Sequence, residues 1–96
     1  MHIISLKPLR EFWRQHPDAE LALRRWFNTV ERSKWTRFAD VRAVFPAADQ
    51  VEHRFVFNVG GNKWRIVAAI HFNTGKVYVR HVLTHADYDK GKWRLE

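Results

Sequence analysis

Arginine, lysine, histidine and tyrosine crowd the C-terminal half of this chain, between Arg54 and Glu96. Together they can move protons and neutralise charge around a phosphodiester. RNA is cut through its own 2′-hydroxyl when one group takes that proton, another protonates the departing 5′-oxygen, and cations stabilise the phosphorane. Imidazole and phenol transfer protons, and guanidinium forks grip phosphate oxygens in pairs. One preorganised donor of this kind is worth ~10²–10³ in rate, or about 3–4 kcal/mol. The candidates for this chemistry are Arg65, Arg80, His85 and Tyr88. Arg54, Asn58, Lys63, His71, Lys90 and Lys92 are candidate contacts to RNA and its phosphates. The six histidines place no H-x3-H pair on a predicted helix. No carboxylates pair at ligand spacing, so the pattern implies neither a metal nor another cofactor.

Each residue also has a plainer reading. Arg65 and Arg80 read equally as solvated strand residues. His71 reads as a sheet-surface residue, His81 as a packed and hydrogen-bonded one, His85 as a cap, and Tyr88 as an anchor packed on the sheet edge. Asp87 and Asp89 read as caps or as partners of Lys90.

The elements that must position these groups follow from composition and periodicity. The 96 residues fit one domain, 1–96, that buries roughly 60–68% of the surface its unfolded chain exposes. Zero cysteines exclude a disulfide framework and thiolate chemistry. Every apolar run falls well short of the ~20 residues a membrane span needs. The N-terminus lacks the basic and apolar regions of a secretory signal, so the expected location is the cytoplasm. The formal net charge is +7, with eight Lys/Arg against three Asp/Glu in residues 54–96 and nine against seven before them. A basic surface of this kind favours polyanions, nucleic acid above all.

Ile3 and Ile4 suggest a short first strand. Ser5 is placed to cap a helix running to His16, with Pro8 in its first turn. Leu9, Phe12, Trp13 and His16 form its apolar stripe. Pro17 ends that helix, and Asp18 is placed to cap a second, buried along Leu23, Trp26, Phe27 and Val30. Phe38, Val41 and Phe45 predict a short third helix ending before Pro46, and residues 47–52 read as a loop. Val59-Gly60-Gly61-Asn62 is a hairpin signal. With Gly60 and Gly61 as the turn, Phe57 faces Trp64 and Phe55 faces Ile66. A second hairpin turns at residues 73–76, so Phe72 faces Val77, Ala69 faces Arg80 and Arg65 faces Thr84. Alternation then puts Phe55, Phe57, Trp64, Ile66, Ala68, Ile70, Val79 and Leu83 against the helices. Arg54, Asn58, Lys63, Arg65, His71, Tyr78 and Arg80 fall on the opposite face, around Val56, Val67, Ala69 and Val82. His85 and Tyr88 share one side of a following helical turn. The expected fold is α+β, a helical hairpin packed on a small, mainly antiparallel twisted sheet.

The C-terminal half resembles the HigB toxins of bacterial type II toxin–antitoxin modules, within the RelE/ParE-like group. The resemblance rests on Val56-Phe57-Asn58-Val59-Gly60-Gly61-Asn62, Arg65, and Ala68-Ala69-Ile70-His71-Phe72. It continues through Val77-Tyr78-Val79-Arg80 and Thr84-His85-Ala86-Asp87-Tyr88-Asp89-Lys90, with Ala43-Val44-Phe45-Pro46 upstream. It implies a RelE-like, microbial-RNase-like toxin that cuts mRNA in the ribosomal A site. It also implies a helix-turn-helix, HigA-like antitoxin, and contact with DNA only through the complex of the two. Carried over by position, it assigns phosphate contacts to Lys63, Arg65 and Arg80, and proton transfer to His85 or Tyr88. Two other readings stay open on such a scaffold, a non-catalytic RNA-binding module and a ParE-like gyrase poison.

Overall fold

The computed structural model describes residues 1–95. Strand β1 (His2–Ile3) leads into helix α1 (Lys7–Gln15), a 3-10 turn (Pro17–Ala19), helix α2 (Glu20–Arg32) and helix α3 (Phe38–Val44). Then come β2 (Asp49–Val51), β3 (Arg54–Val59), β4 (Trp64–His71), β5 (Lys76–Thr84), helix α4 (His85–Asp89) and a final 3-10 turn (Lys92–Leu95). The sheet order is β1-β5-β4-β3-β2, with β1 parallel to β5 and every other pairing antiparallel. This is the α+β arrangement that the periodicity predicts. Residues 49–51, expected in a loop, instead form edge strand β2, paired in register with β3.

The helix entries differ in detail from the expected caps. Ser5 Oγ does accept the Lys7 N–H at 3.1 Å, but the N-cap position belongs to Leu6. Asp18 caps nothing. It lies inside the 3-10 turn that Pro17 opens, and α2 begins after Ala19 without a side-chain cap.

Leu9 and Trp13 of α1 and Leu23, Trp26 and Val30 of α2 are buried against one face of the sheet. Phe57 is the centre of that core. Trp26 and Phe45 meet its ring edge-on at 5.3 Å and 5.2 Å, and Trp35 stacks at 6.4 Å. Edge-to-face pairs add about 0.5–1.5 kcal/mol each beyond the area they bury.

Both hairpins close two residues away from the predicted register. Val59 pairs with Trp64, Phe57 with Ile66 and Phe55 with Ala68, so residues 60–63 form a four-residue turn. Gly60, Gly61 and Asn62 take positive φ in succession there, at 64°, 61° and 80°. At the second hairpin His71 pairs with Lys76 and Ala69 with Tyr78, not Arg80. A two-residue displacement keeps every side chain on its face, so the division between core and open face survives up to Val79. There a β-bulge intervenes. Ala68 pairs with Val79 and Val67 with His81, leaving Arg80 as the extra residue. Beyond it the alternation inverts. Val82 joins the helix-side core, while Leu83 faces outward opposite Arg65, the reverse of the expected placement.

The outward face is not bare either. Trp93 packs on Val56 and Val67, flanked by Val51, Leu83 and Tyr88. Because both faces of β4 are covered, all its residues but His71 are buried.

Candidate functional site

Three of the four residues singled out for chemistry meet where β4 begins and β5 ends. Thr84 caps α4 by accepting the Asp87 N–H at 3.1 Å, and the His85 N–H donates to the Lys63 carbonyl at 3.0 Å. The second bond ties the short helix to the turn of residues 60–63, and together with the cap it sets His85 and Tyr88 over Arg65.

Arg65 is 6% exposed and is the one buried charged side chain among the described residues. Its Nη1 donates to the carbonyls of Asn62 (3.0 Å) and Trp64 (3.2 Å), and its Nη2 to Asn62 Oδ1 (2.7 Å). The same Nη2 lies 2.9 Å from His85 Nδ1, and the guanidinium carbon is 5.5 Å from the Tyr88 ring centroid. Such hydrogen bonds to a buried charge offset its desolvation. The positive φ of Asn62 helps direct both its carbonyl and its side chain at the same guanidinium. The second ring nitrogen of His85, Nε2, lies 2.9 Å from Asp89 Oδ2. Tyr88 is half-buried, with its ring stacked on Trp93 at 5.1 Å and 13°, and the indole N–H of Trp93 returns to the Tyr88 carbonyl at 3.0 Å.

Arg80 lies elsewhere. The bulge carries it beside Tyr78, with its guanidinium carbon 5.6 Å from that ring, on which His71 also packs edge-on at 5.1 Å. Leu83 is the residue opposite Arg65, so three positions of β5, about 10 Å of strand, separate the two arginines along the ladder. Arg80 also borders a cleft against α1 with Glu11 and Gln15.

Of the other expected contacts, exposed Asn58 pairs with Arg65 across the ladder, and exposed Lys63 sits in the adjoining turn. Lys90 and Lys92 border a cleft of about 260 Å³ with His81, Leu83, Asp87 and Trp93, and Lys90 reaches Asp87 at 3.5 Å. Arg54 lies at the far side of Trp93, beside Arg94 and His53. The open face is thus divided by the Trp93 segment, not gathered into one basic field.

Asn62, Asp89 and Trp93 touch this cluster, and sequence reasoning placed none of them there. The i,i+4 spacing of His85 and Asp89 was a visible signal for one of them. No helix among the described residues is long and apolar enough to cross a membrane.

The helical hairpin on one side of a mixed sheet is compatible with a RelE-like toxin fold, and guanidinium, imidazole and phenol cluster on the other side. The family model for HigB toxin, described as the RelE-like toxic component of a toxin-antitoxin system, matches residues 19–91. The mRNA interferase HigB of Escherichia coli O6:H1 (strain CFT073) is 36% identical over 93 residues, covering 94% of this chain and 90% of that protein. The mRNA interferase toxin HigB of Escherichia coli K12 is 36% identical over 92 residues, covering 93% and 88% respectively. The chain belongs to the HigB toxin family. An antitoxin is therefore its partner.

Proposed function

We propose that this toxin is an mRNA-cleaving endoribonuclease acting without a metal ion, on messages held in the ribosome. Two relatives carry the name mRNA interferase across nearly the whole length of this chain. The observation that carries the reading is the convergence of Arg65, His85 and Tyr88 at one end of the sheet. In the proposed reaction the 2′-oxygen bonds to phosphorus and the bond to the 5′-oxygen breaks. The 2′-hydroxyl proton ends on that 5′-oxygen, leaving a 2′,3′-cyclic phosphate and a free 5′-hydroxyl. His85 or Tyr88 relays the proton, and Asn58 and Lys63 hold the phosphate. Buried Arg65 fixes the imidazole. Lys90, Lys92 and, farther off, Arg54, His71 and Arg80 guide flanking RNA by charge. The proposed antitoxin is a HigA-like helix-turn-helix protein, with DNA reached only through the complex, and the proposed site of action is the cytoplasm.

Purified toxin incubated with ribosomes and message, with Mg²⁺ kept for the ribosome, is expected to cut and to leave cyclic-phosphate ends. Tyr88→Phe is expected to slow cutting by about 10²-fold or more. RNA bound without products would favour a binding module. Ends bearing 3′-hydroxyl and 5′-phosphate, as metal-activated water leaves them, would overturn the metal-free mechanism, and inhibition of plasmid supercoiling would point to gyrase.

A further inference from the structure

Both ring nitrogens of His85 are engaged, and the chemistry of the partners determines which nitrogen bears hydrogen. Arginine has donors only. With Arg65 Nη2 at 2.9 Å, Nδ1 of His85 accepts through its lone pair, which leaves the hydrogen of the neutral ring on Nε2. That N–H points at Asp89 Oδ2, 2.9 Å away. The arrangement differs from the triad in which a carboxylate orients a base. There the nitrogen opposite the carboxylate is free to take a proton, whereas here it is committed to a buried guanidinium. The lone pair of His85 is unavailable to a 2′-hydroxyl, and the group His85 can present to substrate is an N–H.

Resting on the ribonuclease reading above, we propose that His85 serves RNA as an Nε2–H donor to a phosphoryl oxygen, and that Asp89 occupies this donor until RNA displaces it. Asp89 is suited to be displaced. Its side chain is 60% exposed, it is held within one turn of α4, and His85 is the one partner of its carboxylate among the described residues. Carboxylate and phosphodiester present the same acceptor, an anionic oxygen, and two anions cannot share one N–H without repulsion. Arg65 is the positioning residue, and its four contacts keep the ring aimed when Asp89 leaves. Of the two proton-relay candidates, this arrangement leaves Tyr88.

Two measurements decide the matter. Long-range ¹H–¹⁵N spectra of protein labelled at histidine read the tautomer of His85 without RNA. The expected pattern is Nε2–H with an accepting Nδ1, retained in Asp89→Ala and lost in Arg65→Met. The wild-type and Asp89→Ala spectra carry this test even where Arg65→Met does not fold. Separately, Asp89→Ala is expected to bind a random-sequence 2′-O-methyl RNA about two- to tenfold tighter than wild type. An Nδ1–H pattern in the wild-type protein, or unchanged or weaker RNA binding by Asp89→Ala, overturns the proposal. Wild-type protein that binds RNA and never cuts it would instead strike the ribonuclease reading, leaving the role of Asp89 to the same two readouts.

Discussion

Replacing Arg65 separates two roles that sequence alone cannot distinguish, a clamp on RNA phosphate and a buried organiser of the site. In Arg65→Lys the charge is kept and the planar fork is lost. One ammonium cannot serve both Asn62 acceptors, the Trp64 carbonyl and His85 Nδ1, which the two terminal nitrogens of arginine now reach between 2.7 and 3.2 Å. Losing two of the four contacts at about 1 kcal/mol each, with some cost for a stranded acceptor, amounts to ~2–3 kcal/mol. At roughly 4–8 °C per kcal/mol for a domain of this size, thermal unfolding should move down by about 10–20 °C. Salt dependence supplies the second arm. A phosphate contact contributes about one unit to the slope of log affinity against log salt, so a buried organiser replaced by methionine should leave that slope unchanged in the folded protein. Filter binding at several salt concentrations, well below the unfolding midpoint, reads it. A slope lower by about one in Arg65→Met, with Arg65→Lys unfolding within ~2 °C of wild type, would refute the reasoning.

Gly60→Ala should destabilise by about 2–4 kcal/mol in a denaturant titration, because a methyl group there adds backbone strain and overpacking. Gly60 has φ +64°, and an added Cβ would lie 2.5 Å from Trp64 Cδ1. Trp93→Ala should cost ~3–5 kcal/mol and leave the Tyr88 ring without its stacking partner, so tyrosine fluorescence and RNA cutting should change together. The Asp40 carboxyl is held below its ordinary 3.8 by the Thr36 backbone N–H first and the Thr36 hydroxyl second. A depressed carboxyl adds stability above its unfolded pKa and loses it as pH falls through the folded one. Asp40→Asn should therefore unfold more easily than wild type at pH 7, with the gap closing below about pH 4 in acid titrations followed by circular dichroism.

Much of the architecture was legible because its signals are local. Glycines mark both hairpins, proline marks the end of α1, and apolar stripes identify the faces of α1 and α2. The grouping of Arg65 with His85 and Tyr88 was readable too, since a strand start and a helical turn bring them to one end of the sheet. The bulge was not. Val79, Val82 and Leu83 are all apolar, so hydrophobic alternation could not reveal where parity changes, and that change left Arg80 without a partner in the ladder. The burial of Arg65 was hidden for another reason. It depends on three successive positive-φ residues bringing the Asn62 oxygens onto its guanidinium, and on Trp93 covering a strip of valines that looks solvent-facing in the sequence. The exact caps of α1 and α2 were misread because Leu6 and a 3-10 turn stand where side-chain caps were expected.

The unpaired position at Arg80 gives β5 an uneven tolerance to changes in chain length. Losing one codon at Arg80 would restore regular pairing without moving a residue on either flank to the wrong side. Losing one anywhere from Val82 to Thr84 would instead rotate His85 and everything after it by half a pleat, and gaining one would do the same. In-frame length variation among descendants of this gene should therefore collect at the bulge and in the 72–75 turn, and be absent between the bulge and α4.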